Sequence, residues 1–143
     1  MTPSASYLYA IIPIIAWVAS GCLKFAVNTV RYGRDARRHV GNGGFPSTHT
    51  SVVSSVTVLI GIENGWDSPL FGLGAALTWI VMIDAVGIRR AVGRNAERIN
   101  RLFRELRADP PAELREKQGH TRFEVAGGLV LGSAVAFAAS LLV

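Results

Sequence analysis

Tyr7 to Val30 reads YLYAIIPIIAWVASGCLKFAVNTV, a run of 24 residues whose only charge is Lys24. Phe123 to Val143, FEVAGGLVLGSAVAFAASLLV, is its counterpart at the other end, with Glu124 as its only charge. Both runs exceed the roughly 18 to 20 apolar residues that cross the hydrocarbon of a bilayer. Between them Pro69–Val86 is strongly apolar up to Asp84, and Ser47–Ile62 is helix-like and moderately apolar. The pattern predicts an all-α, polytopic membrane helix bundle of one domain over residues 1–143, with about four spans near 7–30, 47–62, 69–87 and 123–143. A cleaved leader fits the N-terminus less well, because Met1 to Ser6 has no basic segment and the apolar run is too long.

The net charge of +5 could suggest nucleic acid, but the cations are not spread over a soluble face. Arg31–Phe45 carries Arg31, Arg34, Arg37 and Arg38 against Asp35, and Ile88–Arg122 carries ten Arg or Lys against five acids. The loop between them holds only Glu63 and Asp67. By the positive-inside rule both basic loops face the cytoplasm of a cell with an inner membrane, and no nucleic-acid partner is expected. Within the longer loop Ile88, Val92, Ile99, Leu102, Phe103 and Leu106 share a stripe of about 100° opposite a row of arginines. That describes a basic amphipathic helix on an anionic leaflet, or a continuation of the third span. Asp109-Pro110-Pro111 is expected to end it. The single cysteine, Cys22, excludes an internal disulfide.

In this topology the ends of all four spans converge on one membrane edge. Gly41-Asn42-Gly43-Gly44-Phe45 precedes Pro46-Ser47-Thr48-His49, which opens the second span there. Backbone N–H groups at a helix start, beside a histidine, suit a phosphate. The stretch is not a nucleotide-binding P-loop, because no lysine follows its last glycine. Lys24, Arg31, Asp84, Arg89, Arg90, His120 and Glu124 fall at the same edge. Basic-loop bias explains the arginines. It does not explain Lys24, Asp84 and Glu124 within apolar segments, where a charge is costly unless paired or facing a polar cavity. Taken singly, each has a structural alternative: Lys24 snorkelling to the headgroups, Asp84 pairing with an arginine, and the histidines lying beside Ser47 and Thr121 caps.

Lys24-x6-Arg31, Pro46-Ser47-Thr48-His49 and His120-x3-Glu124 resemble, in order, the three signatures of the type 2 phosphatidic acid phosphatase superfamily, which also includes vanadium haloperoxidases. With Asp84 to Arg90 and Gly119-His120-Thr121, the chain is similar to a small divergent branch of it. Tyr32, Thr48 and Glu124 stand where the usual signatures have proline, glycine and aspartate. The Ser-Arg element before the last histidine is absent, so Arg89 or Arg90 would supply that arginine.

The resemblance implies a phosphoric monoester hydrolase acting on a membrane lipid phosphate. His120 would be the nucleophile, His49 the general acid and then base, and Glu124 the carboxylate holding the His120 ring. Lys24, Arg31, Ser47, Thr48 and one of Arg89 and Arg90 would bind the phosphoryl group, with Asp84 orienting a neighbour. The scheme requires no metal and no cofactor. Topology and likeness together favour phosphatidylglycerophosphate, then phosphatidate or a prenyl phosphate. The rival from another class is a non-catalytic scaffold gripping anionic lipid through the basic helix. Gly128-x3-Gly132, continued by Ala136, is a small-residue face for contact within the chain or in a homodimer.

Overall fold

A computed structural model describes residues 3–34, 43–106 and 113–141, with side chains from residue 7 onward. Arg37, Arg38, Gly41, Asn42, Arg107 and the Asp109-Pro110-Pro111 stop lie outside the described residues. The described chain is a bundle of five helices: α1 Pro3–Tyr32, α2 Thr48–Asn64, α3 Pro69–Val86, α4 Ile88–Glu105 and α5 Arg122–Ser140. Tyr7–Tyr32, Pro69–Glu105 and Arg122–Ser140 are long and apolar enough to cross a membrane. α2 is shorter, about 25 Å at 1.5 Å per residue. It is the centre of the bundle, packed by α1, α3 and α5.

The centre is made of small residues. Along α5, Gly128, Gly132, Ala136 and Ala139 are buried at helical spacing, and α2 turns Ser51, Ser54 and Ser55 inward. A Cβ on Gly128 would lie 2.5 Å from the Ser47 carbonyl oxygen, and one on Gly132 would collide with the Ser54 hydroxyl. The small-residue face of α5 is therefore spent on α2 of the same chain. Where lipid surrounds helices, such close backbone approach replaces the hydrophobic effect as the source of association. The serine hydroxyls are satisfied by their own helix, Ser51 donating to the Ser47 carbonyl at 3.0 Å and Ser55 to Val52 at 2.8 Å.

Three side-chain bonds tie α2 to its neighbours. Asn64 donates to the Tyr9 hydroxyl at 2.7 Å, Thr57 and Thr78 share a hydroxyl bond of 2.9 Å to α3, and Ser20 and Thr48 share one of 2.9 Å to α1. Apart from Ile12 and Leu59, which pack against Ala136 and Ala139, most large apolar side chains are outside: Trp17, Leu73, Trp79, Ile80 and Val130 are all exposed on the bundle surface. Small polar residues within and large apolar ones without is the arrangement a bilayer selects. At the other end Ser68 caps α3 by accepting the Phe71 N–H at 3.2 Å, with Pro69 in the first turn.

α4 continues α3 after a break at Gly87, whose N–H donates to the Ile83 carbonyl at 2.8 Å. Of the two sequence-based options, α4 thus follows the third span directly. Its apolar stripe does not pack on the bundle: Ile88, Val92, Ile99, Leu102 and Leu106 are exposed. The face that packs is the one carrying Gly93, Ala96 and Asn100. Gly93 lets the Glu116 backbone approach within the space a Cβ would fill. Asn100 accepts the Leu114 N–H at 3.0 Å and donates to the Leu114 carbonyl at 2.8 Å and the Glu116 carboxylate at 2.9 Å. Residues 113–119 therefore form a strap along α4 that delivers the chain to α5.

Gly132→Ala is expected to destabilise the bundle by about 1–3 kcal/mol through overpacking of the α2–α5 seam. Gly72→Ala, where nothing lies within 4 Å of the added methyl, should change stability by no more than about 0.5 kcal/mol or raise it slightly. Unfolding of both variants in detergent micelles measures the contrast, and equal effects would remove the seam from its central place.

Candidate functional site

α1 buries one stripe at every fourth residue, Ile12, Ala16, Ser20, Lys24 and Asn28, and the stripe turns from apolar to polar toward its C-terminal end. Lys24 is only 8% exposed, so it points into the bundle and does not snorkel. Among the described residues no carboxylate lies within ion-pair distance of it. The start of α2 faces it. Ser47 occupies the cap position but makes no side-chain cap, and the first backbone bond of this helix is Ser51 N–H to the Ser47 carbonyl at 3.0 Å. Among the described residues no partner engages the N–H groups of Thr48, His49 and Thr50, which are donors at the positive end of the helix dipole.

His120 is placed by three contacts. Its N–H donates to the Ala85 carbonyl at 2.9 Å, Gly119 before it adopts φ +82°, and a Cβ on Gly119 would lie 2.7 Å from the Arg90 backbone nitrogen. The following Thr121 caps α5: it accepts the Glu124 N–H at 3.2 Å while the Glu124 carboxylate accepts the Thr121 N–H at 2.8 Å. The imidazole is 4% exposed, and both ring nitrogens are buried with no hydrogen-bond partner. Its centroid lies 6.5 Å from that of His49, edge to face.

Two cavities meet at His120. One, of about 510 Å³, is lined by the polar Lys24, Thr48, His49 and His120 and by the apolar Trp17, Val52, Val53 and Val81. It faces the gap between α1 and α3, which come within 8 Å at no pair of Cα atoms. The second, of about 880 Å³, is lined by the charged Arg31, Arg90, Arg115, Lys117 and Glu124 beside His120. Gly43 borders both.

The structure therefore brings Lys24, Thr48, His49 and His120 to one cavity, and Arg31, Arg90 and Glu124 to the adjoining one. It separates the two candidate arginines. Arg89 is bonded through Nε to Asp84 at 2.5 Å and lines neither cavity, whereas Arg90 lines the larger. Asp84 is accordingly the partner of Arg89.

Two expected roles differ in the structure. Ser47 does not offer donors to an anion, because it is fully buried, its N–H donates to the Glu124 carbonyl at 2.8 Å and its hydroxyl accepts from Thr50 at 3.0 Å. Glu124 does not hold the His120 ring. His120 precedes the Thr121 cap, so the four-residue spacing does not run along a helical face, and the carboxylate is engaged by the Thr121 N–H. Residues that pattern alone left unmarked are Ser20, which fixes Thr48, and Asn100, which holds the strap leading to His120. The signal for Ser20 was its place four residues before Lys24.

A family model described as the Divergent PAP2 family matches residues 6–135, and the chain belongs to that family. It is 36% identical over 104 residues to the "Uncharacterized membrane protein YuiD" of Bacillus subtilis (strain 168), a stretch covering 63% of this chain and 66% of that relative. The match thus spans a little less than two thirds of the relative's length. No solved structure matches the chain.

Burial pushes the His120 imidazole below its usual value, and the nearby Lys24 charge lowers it further, with Glu124 opposing. A depressed value means the ring is neutral at pH 7 and gains its proton only at a pH below the ordinary imidazole range. Histidine NMR titration in micelles should show this, and Lys24→Met should shift the His120 transition upward. A His120 transition at or above the free-imidazole value of about 6.5 would contradict the buried placement.

Proposed function

We propose that this chain is a membrane lipid phosphate phosphatase that works through a phosphohistidine. The observation that supports it best is the buried His120, with both ring nitrogens unpartnered, sharing a cavity with His49, the unpaired Lys24 and the free N–H groups at the start of α2. A phosphomonoester carries negative charge that repels nucleophiles, so catalysis requires cations and N–H donors around the phosphoryl oxygens and a nucleophile held in line.

A lone pair of neutral His120 attacks phosphorus, forming a P–N bond as the P–O bond to the lipid alcohol breaks. His49 gives its proton to the departing oxygen. Water then attacks the phosphohistidine, passes a proton to His49, and the P–N bond breaks to return imidazole and free phosphate. Lys24, Arg90, Arg31 and the Thr48 and His49 N–H groups bind the oxygens. Glu124 acts through the capping box and through its negative charge beside the imidazole. The reaction uses no metal and no cofactor.

The apolar wall of Trp17, Val52, Val53 and Val81, open between α1 and α3, suits a substrate whose chains stay in the bilayer. Phosphatidylglycerophosphate is favoured, followed by phosphatidate or a prenyl phosphate. The excess of cations in the loops at this end supports a site on the cytoplasmic face of the cell membrane. A homodimer remains compatible with the exposed outer faces.

Purified His120→Ala protein should stay folded and release no phosphate from any of these lipids, and Lys24→Ala should mainly raise KM. His49→Ala should lose about 10²–10⁴-fold in turnover on a lipid phosphate and on p-nitrophenyl phosphate alike, because hydrolysis of the phosphohistidine also needs it, but with p-nitrophenyl phosphate, whose leaving group needs no proton, the phosphohistidine should still form and accumulate. Normal turnover by the His120 variant would exclude it as nucleophile. Orthovanadate should inhibit, as a mimic of the five-coordinate transition state. One specific feature favours the scaffold instead, the exposed apolar stripe of α4 opposite its arginines. Lipid binding without phosphate release by the unaltered chain would select it.

A further inference from the structure

The two cavities at His120 differ in chemistry. The smaller is lined by Trp17 and three valines together with Lys24, Thr48, His49 and His120. The larger is walled by the strap 113–119 and the ends of α1 and α4. Its cations outnumber its acids, and Arg104 is the one engaged by carboxylates, with Glu113 at 3.3 Å and Glu116 at 4.0 Å. Arg31, Arg90, Arg115 and Lys117 have no carboxylate partner among the described residues. Gly43, at φ +128°, lies where a Cβ would be 3.3 Å from the Gly119 carbonyl, and it lines both spaces, as His120 does.

We propose that the larger, basic chamber is a second anion subsite, on the water side of His120, that takes the phosphate dianion after it leaves the histidine. It rests on the phosphatase reading only for where that phosphate comes from. The apolar cavity leads toward hydrocarbon, which a phosphate dianion cannot enter without a large desolvation cost, so phosphate does not leave by that route. The chamber on the other side of the same imidazole is large enough for hydrated phosphate and carries a gradient of unpaired cations from Arg90, close to Gly119, out to the exposed Arg115 and Lys117. Cleavage is thereby directional: the ester comes from the lipid side and the anion leaves to water.

The probe is inorganic phosphate, titrated calorimetrically into the full chain in micelles, with Arg115→Glu/Lys117→Glu as the variant. Both side chains are exposed on the strap, so the bundle should fold unchanged. Phosphate affinity should fall about tenfold in the variant and weaken in the unaltered chain as salt rises, as for partly screened charges. The KM for a lipid phosphate should change less than twofold. Unchanged phosphate affinity would overturn the proposal, and so would a KM that rises in step with it, which would make the chamber a dock for the lipid headgroup. If the unaltered chain releases no phosphate from any lipid, the phosphatase reading fails, while the titration still decides the chamber.

Discussion

The close approach of α2 and α5 is the contact on which the remainder depends. Ser47 donates its N–H to the Glu124 carbonyl and turns its own carbonyl against Gly128, so the start of one helix is locked to the first turn of the other. His49 lies two residues beyond Ser47, and His120 four residues before Glu124. A seam that fixes Ser47 against Glu124 therefore fixes the separation of the two imidazoles. Only residues as small as serine and glycine allow it, because any larger pair would hold the backbones apart and widen the site with them.

The seam also accounts for the unusual economy of polar groups. A serine-rich helix in the middle of a bilayer would be costly if its hydroxyls faced hydrocarbon. Here they return to carbonyls of their own helix, and the cap position is used for tertiary contact. The consequence appears one turn away. Because Ser47 is committed to α5, the first N–H groups of α2 have no side-chain cap, in contrast to α3 and α5, which are capped by Ser68 and Thr121. The packing solution and the electropositive helix start are thus two results of one sequence choice, and His49 stands where they meet.

Much of this was legible from residue order. The apolar runs predict the helices to within a few residues, and the convergence of Lys24, His49 and His120 follows from the alternating direction expected of successive helices. Less legible was anything that depends on which hydrogen bond takes a shared donor. Ser47 could serve an anion or a neighbouring carbonyl, and only the packing of α5 decides. Glu124 could hold the imidazole or close a capping box, and the start of α5 at Arg122 decides that. α4 carries the same lesson. Its hydrophobic stripe is the stronger signal, yet the buried face is the weaker one of Gly93, Ala96 and Asn100, because contact with an extended strap needs small side chains and a matching amide more than apolar area.

The strap explains how a histidine outside any helix can be held as firmly as one within. His120 takes its backbone position from the Ala85 carbonyl below and the Thr121–Glu124 cap ahead, while Asn100 and Gly93 fix the chain that approaches it. Each support comes from a different helix, α3, α5 and α4. Among the described residues neither ring nitrogen of His120 has a hydrogen-bond partner, so the nitrogen lone pair of the neutral ring is not engaged. A nucleophile must keep a lone pair unengaged, and a buried ring would ordinarily lose that freedom to the nearest donor. Supporting the backbone and not the ring reconciles burial with the reactivity that the proposed phosphohistidine chemistry asks of His120.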